Sequence, residues 1–172
     1  MLKLVGSFIT VLTSTWLGFH LAMQVRQRPK QIRQLLTAFS LLRSEIQYGN
    51  RPLFEICKLI SVREIDKIAD IFRFSYEELQ KNEGDTTYHC FHKAIRQVWG
   101  QTSLKGTEKE IFLDLCSVLG RSDRLDQIQH IDRAKEQLQV VEEKARLEQE
   151  QYEKMFRTMG VLGGVLVVIL LY

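Results

Sequence analysis

The chain is 172 residues long, which leaves room for about one domain, since domains usually contain roughly 100 to 200 residues. Its 24 Lys and Arg against 21 Asp and Glu give a net charge of only +3. Basic and acidic residues are interleaved, so no nucleic-acid partner is expected. The 3 cysteines lack C-x-x-C spacing, which favours a reducing compartment. The chain has only 2 prolines, so little in it would break long helices. The composition therefore favours an all-α fold.

The first predicted element, residues 1–25, is a transmembrane helix with an apolar run from Leu4 to Met23. A run of about 20 apolar residues crosses a hydrocarbon core of ~30 Å, and His20 is its only ionisable side chain. The alternative is a cleaved signal peptide, but no A-x-A site closes the run. Cations that follow a membrane segment stay in the cytoplasm, which predicts an outward N-terminus; they are Arg26, Arg28, Lys30 and Arg33.

Residues 26–157 are predicted to form a cytoplasmic helical bundle. From Pro29 onward apolar residues recur at intervals of three and four, as on one helix face: Ile32, Leu35, Leu36, Phe39, Leu42 and Ile46. This helix is predicted to end near Tyr48, with Gly49 as a left-handed cap. Pro52 is then expected in the first turn of the next helix, which the pattern predicts over Leu53 to Ile60.

Capping signals predict where the later helices begin. Two residue pairs have capping-box spacing, and single residues mark two further starts: Ser61 with Glu64, Thr107 with Glu110, Asp85, and Ser122 or Asp123. Gly120 is expected to end the helix before the last one. These signals predict about six helices and no strand.

The last helix is predicted to be one long rod, because no Gly or Pro interrupts Arg124 to Met159. Its apolar seam follows a heptad, with Glu148 in a position that should be apolar: Ala134, Leu138, Val141, Ala145, Tyr152 and Met155. The crowded charges between Glu142 and Lys154 indicate first a solvated stalk and second a docking surface.

Residues 158–172 are predicted to form a second transmembrane helix. The uncharged run from Thr158 to Tyr172 is short, so spanning requires thinning of the membrane or snorkelling of Lys154 and Arg157. The alternative is a buried C-terminal helix, but Val161 to Leu171 has no polar face.

Both predicted membrane helices carry small residues four positions apart. Such faces let helices approach closely in lipid, which predicts that they pack against each other or against another protein. The residues are Gly6, Thr10, Ser14, Gly18 and Ala22 in the first segment and Gly160 and Gly164 in the second.

The sequence contains no recognisable catalytic or cofactor motif, so no cofactor and no small-molecule substrate are expected. His89, Cys90 and His92 are of the residue types that bind zinc, but neighbours on a helix diverge and a fourth ligand is missing. No metal site is therefore predicted, with Cys90 expected in the core and the histidines at its edge. Cys57 and Cys116 are likewise expected to be buried.

Two sequence blocks and the C-terminus resemble the stage III sporulation protein AB family. They are L-R-S-E-I-Q-Y-G-N-R-P-L from Leu42 to Leu53, L-G-R-S-D-R-L-D-Q from Leu119 to Gln127, and the ending M-G-V-L-G-G-V-L-V-V-I-L-L-Y. The resemblance implies a protein of the mother-cell membrane in endospore-forming bacteria. This protein would be part of a channel between mother cell and forespore.

That family is similar to the platform proteins of type II secretion and type IV pilus machines, whose cytoplasmic domains are six-helix bundles. The resemblance therefore implies a non-catalytic platform that contacts other stage III sporulation proteins, including an AA-type ATPase on the cytoplasmic side. Oligomeric state stays open. The alternatives are a membrane-anchored adaptor or sensor that binds a soluble regulator, and a membrane hydrolase with a polar pocket in the bundle.

The resemblance also indicates which residues could contact a partner. The candidates within the two blocks are Glu45, Tyr48, Asn50, Arg121 and Asp123. Helix capping offers a structural explanation for Gly49, Gly120 and Asp123, and a helix start explains Pro52. Glu45 and Tyr48 are therefore the better candidates.

Overall fold

The structure is a computed structural model that describes residues 26–49, 51–64, 66–81 and 84–171, with side chains to Met155 except Glu153. Six α-helices and no strand occur in these ranges, which confirms the predicted all-α bundle. The helices are α1 (residues 26–48), α2 (Leu53–Arg63), α3 (Asp66–Lys81), α4 (Thr87–Val98), α5 (Gly106–Val118) and α6 (Arg124–Leu171). A 3₁₀ turn, Trp99–Gln101, follows α4.

Helices α1 and α6 lie side by side in antiparallel directions. Three ion pairs join the two helices, and as the residue number rises along α1 that of the partner falls along α6. They are Arg28 with Glu148 at 2.9 Å, Arg33 with Glu142 at 2.7 Å, and Arg43 with Asp132 at 2.7 Å. The first described residues of α1 and the part of α6 beyond Glu148 are therefore at the same end of the bundle. We call it the proximal end, and the end where α1 stops and α6 begins the distal end.

The core forms where α1 and the helices α2 to α6 pack their apolar faces together. Helices α2, α3, α4 and α5 pack in chain order, and α5 also packs on α6. Phe112 of α5 lies at the centre, with its ring centroid 5.2 Å from that of Phe39, 5.7 Å from Phe72 and 6.1 Å from Phe91. One aromatic side chain thus contacts α1, α3 and α4 at once, and the predicted apolar face of α1 is buried here.

Two predicted helix starts are wrong. Ser61 lies inside α2, where its hydroxyl donates to the carbonyl of Lys58 at 2.8 Å, and α3 begins at Asp66 instead. The cap of α4 is Thr86 and not Asp85, because the Thr86 hydroxyl accepts from the amide of His89. Asp85 instead forms an ion pair with Lys93 at 2.6 Å.

The predicted caps at the two glycines have different outcomes. Gly120, the second residue after α5, has φ +74°, the left-handed conformation that a glycine helix cap adopts. Gly49 directly follows α1 as predicted, but its φ is not in the left-handed region. The helix start predicted at Thr107 is close to the observed one, since α5 begins at Gly106, but the carboxylate that accepts from the start of α5 is that of Glu108 and not Glu110.

Helix α6 is the long uninterrupted rod that the sequence predicts. Its seam is buried at Leu138 and Ala145, whereas Tyr152 and Met155 are more than two-fifths exposed. Among the residues described, no helix is sufficiently long and apolar to cross a membrane. The predicted segment Leu4 to Met23 lies outside the described residues, as do the side chains of the predicted segment Thr158 to Tyr172.

Candidate partner-binding surface

A groove of about 450 Å³ lies at the distal end, between the α1–α2 turn and the α5–α6 turn. We call it the distal groove. The Arg124 side chain donates to the carbonyl of Gly49 at 3.4 Å, which links the two turns directly. The two sequence blocks that carry the family resemblance are far apart in the chain, and folding brings them together here. The polar side chains that line the distal groove are Glu45, Arg51, Arg124 and Gln127.

The α1–α2 turn requires glycine at position 49 because the chain folds back closely on α1. The amide of Gly49 donates to the carbonyl of Glu45 at 2.8 Å, and a Cβ atom at Gly49 would lie only 2.5 Å from that oxygen. The carboxylate of Glu45 is 3.7 Å from the guanidinium of Arg51. Glu45 is thus held at the rim of the distal groove by the turn that it helps to form.

The α5–α6 turn is held by the side-chain amide of Gln127. Its oxygen accepts from the amide of Gly120 at 3.3 Å, and its nitrogen donates to the carbonyl of Ser122 at 2.8 Å. A Cβ atom at Gly120 would lie 2.9 Å from the Thr87 hydroxyl, so this turn also packs closely on α4. Gln127 therefore has a structural role that its place in the resemblance block did not reveal.

The structure shows different positions for the candidate partner-binding residues that it describes. Glu45 lines the distal groove. Tyr48 is 80% exposed at the end of α1, and Arg121 and Asp123 are exposed on the α5–α6 turn. Asn50 lies outside the described residues. Whether any of them contacts a partner stays a prediction.

Sequence reasoning missed three residues at this end of the bundle. Arg51 and Arg124 line the distal groove, and Leu125, the second residue of α6, is 75% exposed. Leu125 lies between Arg124 and Asp126 in the sequence, and an apolar residue between two charged ones was the available signal. Together with Tyr48 it gives the distal end two large exposed apolar side chains.

The histidine and cysteine cluster on α4 has the predicted arrangement. Cys90 is buried, His89 is exposed and His92 is half-buried against the ring of Tyr88. In the part of the chain that the structure describes, no three His, Cys, Asp or Glu residues are grouped to hold a metal ion. Burial also raises the pKa of the Cys57 and Cys116 thiols.

A buried charge network lies at the proximal end. The Arg28 guanidinium donates to Glu108 at 2.8 Å and to Glu148 at 2.9 Å, and the side chain of Glu108 is fully buried. Glu108 also accepts from the backbone amide of Lys105 at 3.1 Å. The network joins α1, α5 and α6, and it explains why a glutamate interrupts the apolar seam of α6.

Glu148 is the more exposed carboxylate of this network. It lies 3.1 Å from the ammonium of Lys105 and 2.9 Å from the guanidinium of Arg28. Lys105 has the larger effect and Arg28 the smaller one, and together they hold the pKa of Glu148 below its ordinary value. The carboxylate is therefore ionised at neutral pH and can keep both cations in place.

These features define a class of protein: a helical bundle with an apolar centre and a groove built from two turns. The centre is filled by the aromatic cluster around Phe112, whereas the hydrolase hypothesis requires a polar pocket there. The distal groove is open and polar at its rim.

Comparisons with known proteins identify the family. The family described as stage III sporulation protein AB matches residues 3–172. Stage III sporulation protein AB of Bacillus subtilis (strain 168) is 34% identical over 171 residues, which are 99% of each chain. A solved structure of a stage III sporulation protein AB has a TM-score of 0.69 and 31% identity, and the match covers 73% of this chain and 98% of that one. The chain belongs to the stage III sporulation protein AB family.

Proposed function

We propose that this sporulation protein is a non-catalytic platform of a channel between mother cell and forespore. In this proposal its bundle is held against the cytoplasmic face of the mother-cell membrane by both ends of the chain. The distal groove then faces the cytoplasm and contacts an AA-type ATPase. The observation that carries the proposal is the antiparallel pairing of α1 and α6.

This pairing supports attachment by both ends. The ion pair of Arg28 with Glu148 is at the proximal end, and the apolar run Leu4 to Met23 comes shortly before Arg28 in the chain. At the same end α6 continues to Leu171, and its uncharged stretch from Thr158 to Leu171 is about 21 Å of helix at 1.5 Å per residue. This stretch is shorter than a hydrocarbon core of ~30 Å, so in this proposal the membrane thins locally or Lys154 and Arg157 snorkel toward the cytoplasm.

The distal groove supports contact with a cytoplasmic partner. It is separated from the Arg28–Glu148 pair by the length of α1, about 30 Å. Tyr48 and Leu125, which are next in the chain to the groove residues Gly49 and Arg124, add exposed apolar area at this end of the bundle. Tyr and Arg are enriched among residues that dominate binding energy, and an apolar centre with a charged rim is typical of protein interfaces.

Co-purification tests this proposal. We expect the detergent-solubilised protein from sporulating cells to retain the ATPase, and Tyr48→Ala/Leu125→Ala to reduce the amount retained at least about tenfold. Loss of a dominant interface residue costs about 2 kcal/mol or more, and 1.4 kcal/mol corresponds to a factor of ten. The measurement is quantitative mass spectrometry of the retained proteins.

The matched control is Val62→Ala/Tyr152→Ala, which removes one aliphatic and one tyrosine side chain that are exposed elsewhere. We expect this variant to retain the ATPase as the unchanged protein does. Equal retention by the Tyr48→Ala/Leu125→Ala variant would show that these two exposed side chains do not contact the ATPase. Retention of a signalling protein without the ATPase would favour the adaptor or sensor.

A further inference from the structure

A small recess at the proximal end is lined by three cations of α1. Arg26, Lys30 and Arg33 are spaced by four and three residues, so they lie on one face of the helix. The recess has a volume of about 240 Å³, and Gln27 and Gln149 also line it. We call it the basic recess.

The basic recess has more positive than negative charge. Lys30 is 3.3 Å from Asp66, and Arg33 is 2.7 Å from Glu142, so two carboxylates face three cations. Lys30 and Asp66 are 59% and 49% exposed, and such exposed ion pairs contribute only about 0–1 kcal/mol. The Glu142 carboxylate is only 16% exposed, but it accepts from the Nε of Arg33, so an additional anion can approach the terminal nitrogens of Arg33 without breaking that pair.

The neighbouring cation Arg28 does not belong to the basic recess. It is turned inward and bound by Glu108 and Glu148, and only 9% of its side chain is exposed. The four cations of residues 26–33 therefore fall into two groups, one buried and three exposed. Arg28 holds the bundle together, and the other three remain at the surface.

We propose that the basic recess binds a phosphate group, supplied by the headgroup of an anionic phospholipid. Guanidinium groups donate two parallel hydrogen bonds to phosphate oxygens, and an ammonium group adds further donors. The source of the phosphate rests on the proposed function, in which the proximal end faces the membrane. Basic pockets on the cytoplasmic side of membrane proteins bind lipid headgroups through this chemistry.

Thermal unfolding of the full chain in detergent micelles tests the proposal. We expect phosphatidylglycerol to raise the unfolding temperature by about 3–5 °C above phosphatidylcholine when its concentration is about ten times Kd. About 0.5 M salt should weaken this shift, because exposed charges are screened. Inorganic phosphate at the same concentration should give no comparable shift, because it lacks the acyl chains that keep a headgroup at the membrane surface.

The variant Arg26→Gln/Lys30→Gln should lose the shift caused by phosphatidylglycerol. The control Arg96→Gln/Lys144→Gln removes the same charges from exposed positions elsewhere and should keep the shift. Equal shifts in both variants would overturn the proposal, because they would reflect general attraction to cations. An equal effect of inorganic phosphate would overturn the lipid source.

Membrane fractionation of the same proteins separates this proposal from the proposed function. We expect the unchanged chain and both variants to fractionate with membranes, since the apolar ends are unaltered. A chain in the membrane fraction that shows no preference for phosphatidylglycerol would overturn the headgroup site alone. A chain absent from the membrane fraction would overturn the proposed platform itself.

Discussion

Replacing Phe112 with alanine is expected to lower the free energy of unfolding by about 3–5 kcal/mol, the usual cost of truncating a fully buried Phe. Its ring is 1% exposed and contacts the rings of Phe39, Phe72 and Phe91. The three rings belong to three different helices, so they cannot close the resulting cavity without moving the helices. Far-ultraviolet circular dichroism of the full chain against urea measures the effect.

The matched control is Phe74→Ala, which makes the same chemical change on a half-buried side chain of α3. Phe74 packs at the edge of the core, with the guanidinium of Arg73 over its ring at 5.2 Å. We expect this variant to lose less than half as much stability, because water can fill the space left by the ring. Equal losses for the two variants would contradict a core centred on Phe112.

The second large effect is expected at the buried ion pair of Arg28 and Glu108. Glu108→Ala should lower the free energy of unfolding by about 3 kcal/mol, the lower end of the range for breaking a buried ion pair, because Arg28 loses its fully buried partner and keeps only the more exposed Glu148. The substitution also removes the acceptor for the amide of Lys105 at the start of α5. The same urea titration measures this loss.

Two comparison variants make this result specific. Glu143→Ala removes the exposed partner of Arg146 on α6 and should cost less than about 1 kcal/mol. Arg28→Met/Glu108→Met replaces both buried charges by apolar groups and should be more stable than Glu108→Ala, because the buried guanidinium is removed together with its buried partner. A double variant no more stable than Glu108→Ala would show that the pair does not act through its charges.

The fold was predictable where local signals repeat along a helix. The three-and-four spacing from Ile32 to Ile46 predicted the buried face of α1, and the absence of Gly and Pro predicted the continuous α6. Single capping signals were less reliable. The Ser61 and Glu64 spacing also fits a helix interior, where a serine hydroxyl can bond to its own helix, as Ser61 does.

The candidate surface was predictable only in part. Glu45 and Tyr48 came from one resemblance block, but the meeting of that block with the α5–α6 turn depends on packing between distant segments. The partner of Arg28 illustrates the same limit. Glu108 lies 80 positions away in the chain, and a glutamate in the first turn of a helix is usually expected to face solvent. Spacing within one helix contains no information about such a pairing.

The central claim is that both ends of the chain enter the membrane from the proximal end of a cytoplasmic bundle. Reporter fusions after Tyr172 test it most directly, because alkaline phosphatase is active only outside the cytoplasm and green fluorescent protein fluoresces inside it. We predict an active phosphatase and a dark fluorescent protein at Tyr172, with a cysteine at Leu125 protected from an impermeant thiol reagent in intact cells. A fluorescent fusion at Tyr172, with an inactive phosphatase, would contradict the double anchor.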